Sequence, residues 1–158
     1  MNQIKLDRSA ALRMFESQRH TFTATLELQL VDVAYGEAIM VMPFRPAVQN
    51  GAGNVHGGAI MSFCDSVFWV ALATVYGREQ PTATASLTCN FLRPAHSPHD
   101  LRAHAKVLKA GKRVVYGTVD VFGEDEKLVA HATANFINTP PEGLPRTVRG
   151  GKAPHVRL

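Results

Sequence analysis

A single carboxylate inside a long apolar segment is the first residue that could do chemistry. Asp65 lies near the middle of residues 56–76, a run that is otherwise almost entirely apolar and contains no proline. An ionised carboxylate is costly to bury, so Asp65 must meet a polar cavity, bind a partner or stay protonated. Asp65 is therefore either a polar contact of this segment or a general base or nucleophile tuned by burial.

The start of the same segment carries a second candidate site. The sequence N50-GAGNV-HGG58 places two glycines where a helix would begin. Glycine lets another molecule approach the backbone closely, and the first amides of a helix have no internal acceptor. Those amides also carry the positive end of the helix dipole. Gly57 and Gly58 could thus bind an oxyanion, and tight helix–strand packing or a plain turn is the alternative.

The spacing of these two candidates constrains how they could cooperate. Gly57 and Asp65 are eight positions apart, which corresponds to about 12 Å of rise along a helix. One carbonyl group cannot contact the Gly57 amide and be attacked through Asp65 of the same chain. If both act on one substrate, a second copy must supply its Asp65, and a two-fold dimer would contain two such sites. Catalysis at this pair therefore predicts a homo-oligomer.

The elements around the site are predicted from hydrophobic periodicity. Residues 56–76 are long enough to cross a membrane, but the surrounding alternating strands favour a helix buried in the core of the fold. An amphipathic helix is predicted over residues 7–20, with Asp7 or Ser9 as its cap. Apolar and polar residues alternate with a period of two in most of six predicted strands, at 22–30, 37–44, 82–91, 101–107, 112–122 and 128–136.

The short links between the last four strands predict that these strands are antiparallel neighbours. An alternating sheet has one face that needs cover, and the apolar helix is the element that can supply it. The predicted fold is α+β, with a six-stranded antiparallel sheet wrapped around one long helix. The expected divisions are an N-terminal helix at 1–20, the main domain at 21–137 and a flexible tail at 138–158.

Composition favours one globular domain in a reducing compartment. The chain has 158 residues, 46% hydrophobic, and a net charge of +4. Residues 138–158 hold four basic residues and one acidic residue, whereas residues 1–137 hold 13 basic and 12 acidic residues. Because residues 1–137 are nearly neutral, the charge argues against nucleic-acid binding. Cys64 and Cys89 are predicted to be buried thiols, and no secretory signal is recognised, so a cytoplasmic protein is expected.

Three blocks together carry a family resemblance: N50-GAGNV-HGG58 with Asp65, the strand TATASLTCNFLRPA at 82–95, and LVAHATANF at 128–136. They resemble the hotdog-fold acyl-CoA thioesterases, and within them the PaaI-like group named for phenylacetic acid degradation. The resemblance covers about residues 20–137. It implies hydrolysis of an acyl-CoA without a metal or a further cofactor, in a dimer or a tetramer of two dimers, with no membrane partner.

The resemblance also implies roles for individual residues. The amide of Gly57 would bind the thioester oxygen, with Gly58 beside it, and Asn50 would polarise the carbonyl or place water. Asp65, supplied by the neighbouring copy, would be the general base or nucleophile. Thr84 would hold the water or the Asp65 carboxylate, and its side chain is predicted on the polar face of its strand with Ser86 and Thr88.

Further residues have a functional and a structural interpretation each. His56 would either shape the turn and contact the carbonyl or take part in proton transfer. Basic side chains near strand ends could meet the phosphates of coenzyme A or form an ordinary solvated rim. Aromatic residues of the long helix could line an acyl channel or pack in the core. The basic side chains are Arg93, Lys109, Lys112 and Arg113. The aromatic residues of the helix are Phe63, Phe68 and Trp69.

No metal site is predicted. His96, His99 and His104 do not follow a known ligand spacing and are interpreted as surface histidines. Two other functions remain open for the same pocket. One is an acyl-CoA binding or sensing module without turnover. The other is a hotdog hydratase, which would need His56 and Asp65 to act on one ligand.

Overall fold

The long helix α3 forms the centre of the fold. The computed structural model describes residues 6–18, 21–78, 81–96 and 98–138. Its helices and strands, in chain order, are α1 Arg8–Glu16, α2 Phe22–Thr25, β1 Gln29–Ala34, β2 Glu37–Met42, α3 Gly57–Tyr76, β3 Thr82–Phe91, β4 Leu101–Ala110, β5 Val114–Phe122 and β6 Leu128–Asn138. Single turns of 3₁₀ helix lie at Pro46–Val48 and Glu124–Glu126.

Helix α3 begins and ends where its sequence supplies caps. The His56 ring accepts a hydrogen bond from the Gly58 amide at 2.9 Å, and Gly77 ends the helix with a left-handed φ of 74°. By length and composition α3 could cross a membrane, but most of its side chains are buried in the fold. The prediction of a buried core helix is confirmed.

The sheet has six antiparallel strands in the order β1-β2-β4-β5-β6-β3 and wraps around α3. The predicted fold class is therefore confirmed, but one predicted neighbour is wrong. Strand β3 pairs with β6 and not with β4, while β4 pairs with β2 and β5. The nine residues at 92–100 are enough to carry the chain away from β3, so a short link did not require adjacent strands.

The first predicted strand is only partly correct. The predicted strand at 22–30 begins instead as the helical turn α2, and β1 runs from Gln29 to Ala34. Glu27 has a left-handed φ of 51°, which interrupts an extended chain before Leu28. Phe22 is exposed, whereas Leu26 and Leu28 are buried. The alternation of apolar and polar residues therefore predicted the burial of Leu26 and Leu28 correctly, but not the helical turn and the left-handed residue that replace an extended strand.

Helix α1 confirms the amphipathic helix predicted in front of the sheet. The Asp7 side chain caps it by accepting from the Ala10 amide at 2.8 Å, and the Arg8 Nε donates to the Val31 carbonyl at 2.9 Å. Residues 1–5, 19–20 and 139–158 lie outside the described part of the chain, including nearly all of the predicted tail. The division of the chain at 20 and 137 remains a prediction.

Candidate active site

The first turn of α3 presents one backbone amide that finds no acceptor in the described part of the chain. Gly58 donates its N–H to the His56 ring, so this amide is occupied by the cap. The N–H of Gly57 has no acceptor among the residues that the structure describes. A Cβ on Gly58 would lie 3.0 Å from His56 Nδ1, which explains glycine there by packing. The predicted oxyanion donor is therefore available at Gly57, whereas Gly58 serves the cap.

Asn50 lies beside this amide in a cavity of about 350 Å³ that Gly57, Asn54 and Arg93 also line. Its side-chain oxygen accepts hydrogen bonds from the amides of Ala52 and Asn54, at 2.9 and 3.2 Å. These bonds fix the orientation of the side chain and leave the Nδ2 group as its donor. The cavity thus combines a free backbone N–H with a side-chain amide, two donors suited to a carbonyl oxygen.

Asp65 lies two turns further along α3 and is bound by Thr84. The Thr84 hydroxyl donates to the Asp65 carboxylate at 2.7 Å. Burial raises the pKa of Asp65, and the hydrogen bond from Thr84 opposes part of that rise. A carboxylate with a raised pKa is a stronger base than an exposed one, as proton abstraction from water requires. The structure thus brings together the predicted pair Asp65 and Thr84.

A β-bulge explains how Thr84 reaches Asp65. The register between β3 and β6 shifts between Thr84 and Ser86, so Ala85 is an extra residue in β3. Thr84 pairs with the buried Phe136, while Ser86 pairs with Asn135 on the outer face. The prediction that Thr84 shares a face with Ser86 and Thr88 is therefore wrong. The inserted residue reverses the alternation and turns the Thr84 hydroxyl towards α3.

The surroundings of Asp65 include residues that the sequence pattern did not reveal. Asp65 lines two cavities of about 160 and 250 Å³. The smaller one is lined by Phe15 of α1, Gln18 of the following turn and Thr23 of α2, together with Trp69 and Phe136. Phe63 and Phe68 are fully buried in the core and line neither cavity, so of the three helix aromatics Trp69 alone fits the predicted channel. The amphipathic spacing in α1 predicted that this helix has a buried face, but not that it covers the site.

The predicted basic residues lie at two ends of the molecule. Arg93 lines the Gly57 cavity, where its guanidinium also donates to the Leu128 carbonyl at 2.6 Å. Lys112 and Arg113 lie in the β4–β5 turn. The side chains of Asn138 and Tyr76 donate hydrogen bonds to carbonyls of this turn, and Tyr76 is the last residue of α3. A 20-residue helix is about 30 Å long, so these two residues are remote from Gly57 of the same chain. Lys109 lies near the same turn, at the end of β4.

Strand β3 runs past both halves of the candidate site. The Phe91 ring is the nearest group to Gly57, 3.2 Å from the position of an added Cβ, while Thr84 holds Asp65. The Gly57 cavity and the Asp65 cavities share no lining residue. One chain therefore carries two separate candidate half-sites, one at each end of an edge strand.

His99 and His104 lie outside these half-sites. His99 and His104 pair with the carboxylates of Glu124 and Glu37, at 3.2 and 3.0 Å. Within the described ranges, no group of three or more His, Cys, Asp or Glu side chains could hold a metal ion. Cys64 is fully buried as predicted, whereas Cys89 is only partly buried.

Comparison with known proteins places this geometry in context. A family model described as the thioesterase superfamily matches residues 52–130, which include Gly57, Asp65 and Thr84. The chain is 26% identical to acyl-coenzyme A thioesterase PaaI of Escherichia coli, over 66% of this chain and 73% of that protein. It is 28% identical to human acyl-coenzyme A thioesterase 13, over 60% of this chain and 67% of that protein.

The same architecture occurs among solved structures. Zebrafish thioesterase superfamily member 2 superposes with a TM-score of 0.78 and 21% identity, covering 84% of this chain and 99% of that chain. Its similarity supports the fold alone, and the six-stranded antiparallel sheet around a central helix is the hotdog arrangement that the sequence predicted.

Proposed function

Because this chain belongs to the thioesterase superfamily, we propose that it hydrolyses acyl-coenzyme A thioesters to the free acid and coenzyme A. Two relatives that carry the name acyl-coenzyme A thioesterase support this substrate class. The observation on which the proposal depends is the pair of half-sites: a helix amide at Gly57 that no described residue accepts from, and a partly buried carboxylate at Asp65. Each would act on the same thioester carbonyl from a different copy of the chain.

The Gly57 half-site would stabilise the developing oxyanion. The carbonyl oxygen of the thioester would accept from the Gly57 N–H and the Asn50 Nδ2, at the positive end of the α3 dipole. Donors held in place before the reaction stabilise the tetrahedral intermediate more than the planar ester. Loss of one such donor typically costs about 3 kcal/mol of transition-state stabilisation. Arg93 lies in the same cavity, where it could contact a phosphate of coenzyme A.

The Asp65 half-site would activate the nucleophile. In the general-base route, Asp65 takes a proton from water as the water oxygen attacks the carbonyl carbon. The tetrahedral intermediate then collapses, the C–S bond breaks, and coenzyme A leaves as the thiolate. In the nucleophilic route, the Asp65 carboxylate attacks first and water hydrolyses the resulting anhydride. The Thr84 hydroxyl orients the carboxylate in both routes.

Strand β3 supplies the geometry for combining two copies. It is an edge strand of the sheet, so the backbone groups along its outer side can pair with another strand. Asp65 lies beside Thr84 near one end of β3, and Gly57 lies beside Phe91 at the other end. A two-fold axis near Leu87 would pair two β3 strands antiparallel. That axis would bring Asp65 of each copy towards Gly57 of its partner.

The test is hydrolysis of a panel of aliphatic and aryl acyl-CoA thioesters, followed through release of the free thiol. Asp65→Asn should lower kcat by two to four orders of magnitude on substrates that the wild type cleaves. Ligand affinity, measured by calorimetry with coenzyme A, should change little. Asp32→Asn is the matched control, because Asp32 is an exposed aspartate on β1.

Three outcomes would contradict the proposal. Equal turnover by the wild type and Asp65→Asn would exclude Asp65 as base or nucleophile. Tight binding of acyl-CoA with no wild-type turnover would favour a binding module. Hydration of an enoyl-CoA in place of thiol release would favour a hydratase, although the His56 Nδ1 atom is occupied as an acceptor by the Gly58 amide.

A further inference from the structure

A side chain of α1 stands between two neighbouring cavities on one side of Asp65. The proximal cavity is the one of about 160 Å³ beside Asp65, and the distal cavity, of about 300 Å³, lies between α1, α2 and the start of β1. Phe15, Gln18 and Thr23 line both cavities. The remaining lining residues of the distal cavity are Ala24, Glu27, Leu28 and Gln29. Phe15 thus supplies the largest side chain of the common boundary.

The other aromatic walls of the proximal cavity belong to the central helix and the sheet. Trp69 lies one helical turn after Asp65, so both side chains are on the same face of α3. Phe136 is 2% exposed, and its ring packs edge-on against Phe68 with the ring centroids 5.1 Å apart. Phe15, in contrast, is only partly buried and lies on the nine-residue helix α1. Phe15 is therefore the wall whose size can change with the least effect on the core.

Asp65 separates the proximal cavity from the cavity of about 250 Å³ on its other side. That larger cavity is lined by the exposed side chains of Phe22 and Met61 and by Leu87 of the edge strand β3. In the proposed dimer this side would face the partner copy, from which the thioester carbonyl held by Gly57 arrives. The acyl group would then extend past Asp65 in the opposite direction, into the proximal cavity beneath α1.

The volume of the proximal cavity limits the acyl group that fits there. An apolar cavity of about 150 Å³ holds one benzene molecule, which has six carbon atoms. The proximal cavity is of that size and has three aromatic walls, so it would hold one ring or an aliphatic chain of about six carbons. A longer chain would meet Phe15, and the cavity beyond this side chain is nearly twice as large as the proximal one.

The distal cavity offers apolar surface for the end of a longer chain. Leu28 is 7% exposed, and Ala24 is half-buried. The Glu27 carboxylate also lines this cavity, and it is neutralised by Arg45 at 2.7 Å. Methylene groups that reached Ala24 and Leu28 would leave water, and each buried methylene contributes a factor of about four in affinity.

We propose that Phe15 is a specificity-determining residue that limits the substrate to acyl groups of about six carbons or one aromatic ring. Removing its ring would join the distal cavity to the acyl site and admit longer chains. This inference rests on the proposed function for the position of the thioester carbonyl at Asp65. The boundary between the two cavities, however, can be tested by binding alone.

The experiment measures the binding of S-hexyl- and S-decyl-coenzyme A, two thioethers that have no thioester bond to hydrolyse. Calorimetry on the full chain gives the ratio of their affinities. The wild type should bind S-decyl-coenzyme A no more tightly than S-hexyl-coenzyme A, because the extra methylene groups find no buried space. Phe15→Ala should raise the decyl-to-hexyl ratio by about tenfold or more, since burial of only two extra methylene groups accounts for that factor. The kcat/KM of decanoyl-CoA relative to hexanoyl-CoA should rise in parallel.

Two further variants separate the boundary from a general loosening of α1. Met14→Ala shortens the neighbouring half-buried side chain of α1, which lines neither cavity, and should keep the wild-type ratio. Ala24→Trp, added to Phe15→Ala, fills part of the distal cavity and should cancel the increase. Misfolding does not produce tighter binding of the longer ligand, so the increase is informative even if Phe15→Ala lowers stability.

Two results would overturn the proposal. One is a wild type that already binds S-decyl-coenzyme A more tightly than S-hexyl-coenzyme A by the factor expected for its added methylene groups. The other is a ratio that Phe15→Ala does not raise, including the case in which neither thioether binds. Hydrolysis is scored separately. If the wild type binds the thioethers but releases no thiol from any acyl-CoA, the proposed function fails while the role of Phe15 as a boundary stands.

Discussion

Mixed oligomers of two inactive variants provide a direct test of a site shared between copies. The first variant is Asp65→Asn, which removes the base. The second is Gly57→Pro, which deletes the N–H at the first helical position, where proline is tolerated. His56 has φ −65° and ψ 134°, a conformation compatible with a following proline. Gly57→Ala is the matched control, since it adds the Cβ beside the Phe91 ring and keeps the N–H.

The expected magnitude follows from the geometry. Gly57→Pro should lose about 10²–10³ in kcat, as for removal of one oxyanion-hole donor. Each homo-oligomer is then nearly inactive. In a mixed dimer, one of the two sites receives Asp65 from the Gly57→Pro chain and Gly57 from the Asp65→Asn chain, so it is intact. Random exchange makes about half of the dimers mixed, so equal amounts should recover about one quarter of wild-type activity.

The assay combines differently tagged variants by co-expression and measures thiol release after tandem purification of the mixed species. Purified mixed dimers should reach about half of the wild-type rate per dimer, because one site in two is intact. The Gly57→Ala control should retain most of its activity. Mixed oligomers that are no more active than the two parents would refute a site composed of Asp65 and Gly57 from different copies.

Three further predictions concern single substitutions. Thr84→Val removes a hydrogen bond that favours the ionised Asp65, so the pKa of that carboxyl should rise further and the acidic limb of the kcat/KM profile should move to higher pH. Asp65→Asn should raise Tm at pH 7, because the pKa of Asp65 is raised on folding and the folded state disfavours its charged form. Calorimetry should show that this increase in Tm shrinks as the pH falls through the pKa of Asp65 in the folded protein. Gly117→Ala should destabilise the fold by about 1–3 kcal/mol in urea unfolding, because the new Cβ would lie 2.2 Å from the Lys106 carbonyl and 2.4 Å from the Phe68 ring. The control Gly51→Ala, where nothing lies within 4 Å, should have little effect on stability.

The sequence predicted those parts of the site that depend on strong local patterns. The continuous apolar run of α3 predicted a fully buried helix, and the alternation in β4, β5 and β6 predicted strands with one buried face. The architecture of a sheet around a helix followed from these two patterns. Asp65 was recognisable because a charge within a buried helix needs a partner. The free amide of Gly57 followed from its place at the start of that helix.

Other parts depended on contacts between distant segments. The pairing of β3 with β6 is set by which strands meet across α3, and link length alone did not reveal it. Helix α2 depends on Glu27 adopting a left-handed backbone and on the bond between Arg45 and the Glu27 carboxylate. The wall that Phe15 forms beside Asp65 requires α1 to fold back over α3, which the spacing within α1 does not specify.

The extra residue at Ala85 has a consequence for how this fold tolerates insertions and deletions. If β3 kept Ala85 but alternated regularly, with Leu87 and Cys89 still against α3, the Thr84 hydroxyl would point outwards to solvent. The two requirements conflict in a regular strand because side chains alternate strictly. Deleting Ala85 would thus make the edge strand regular while keeping Thr84, Leu87 and Cys89 on the side that faces α3.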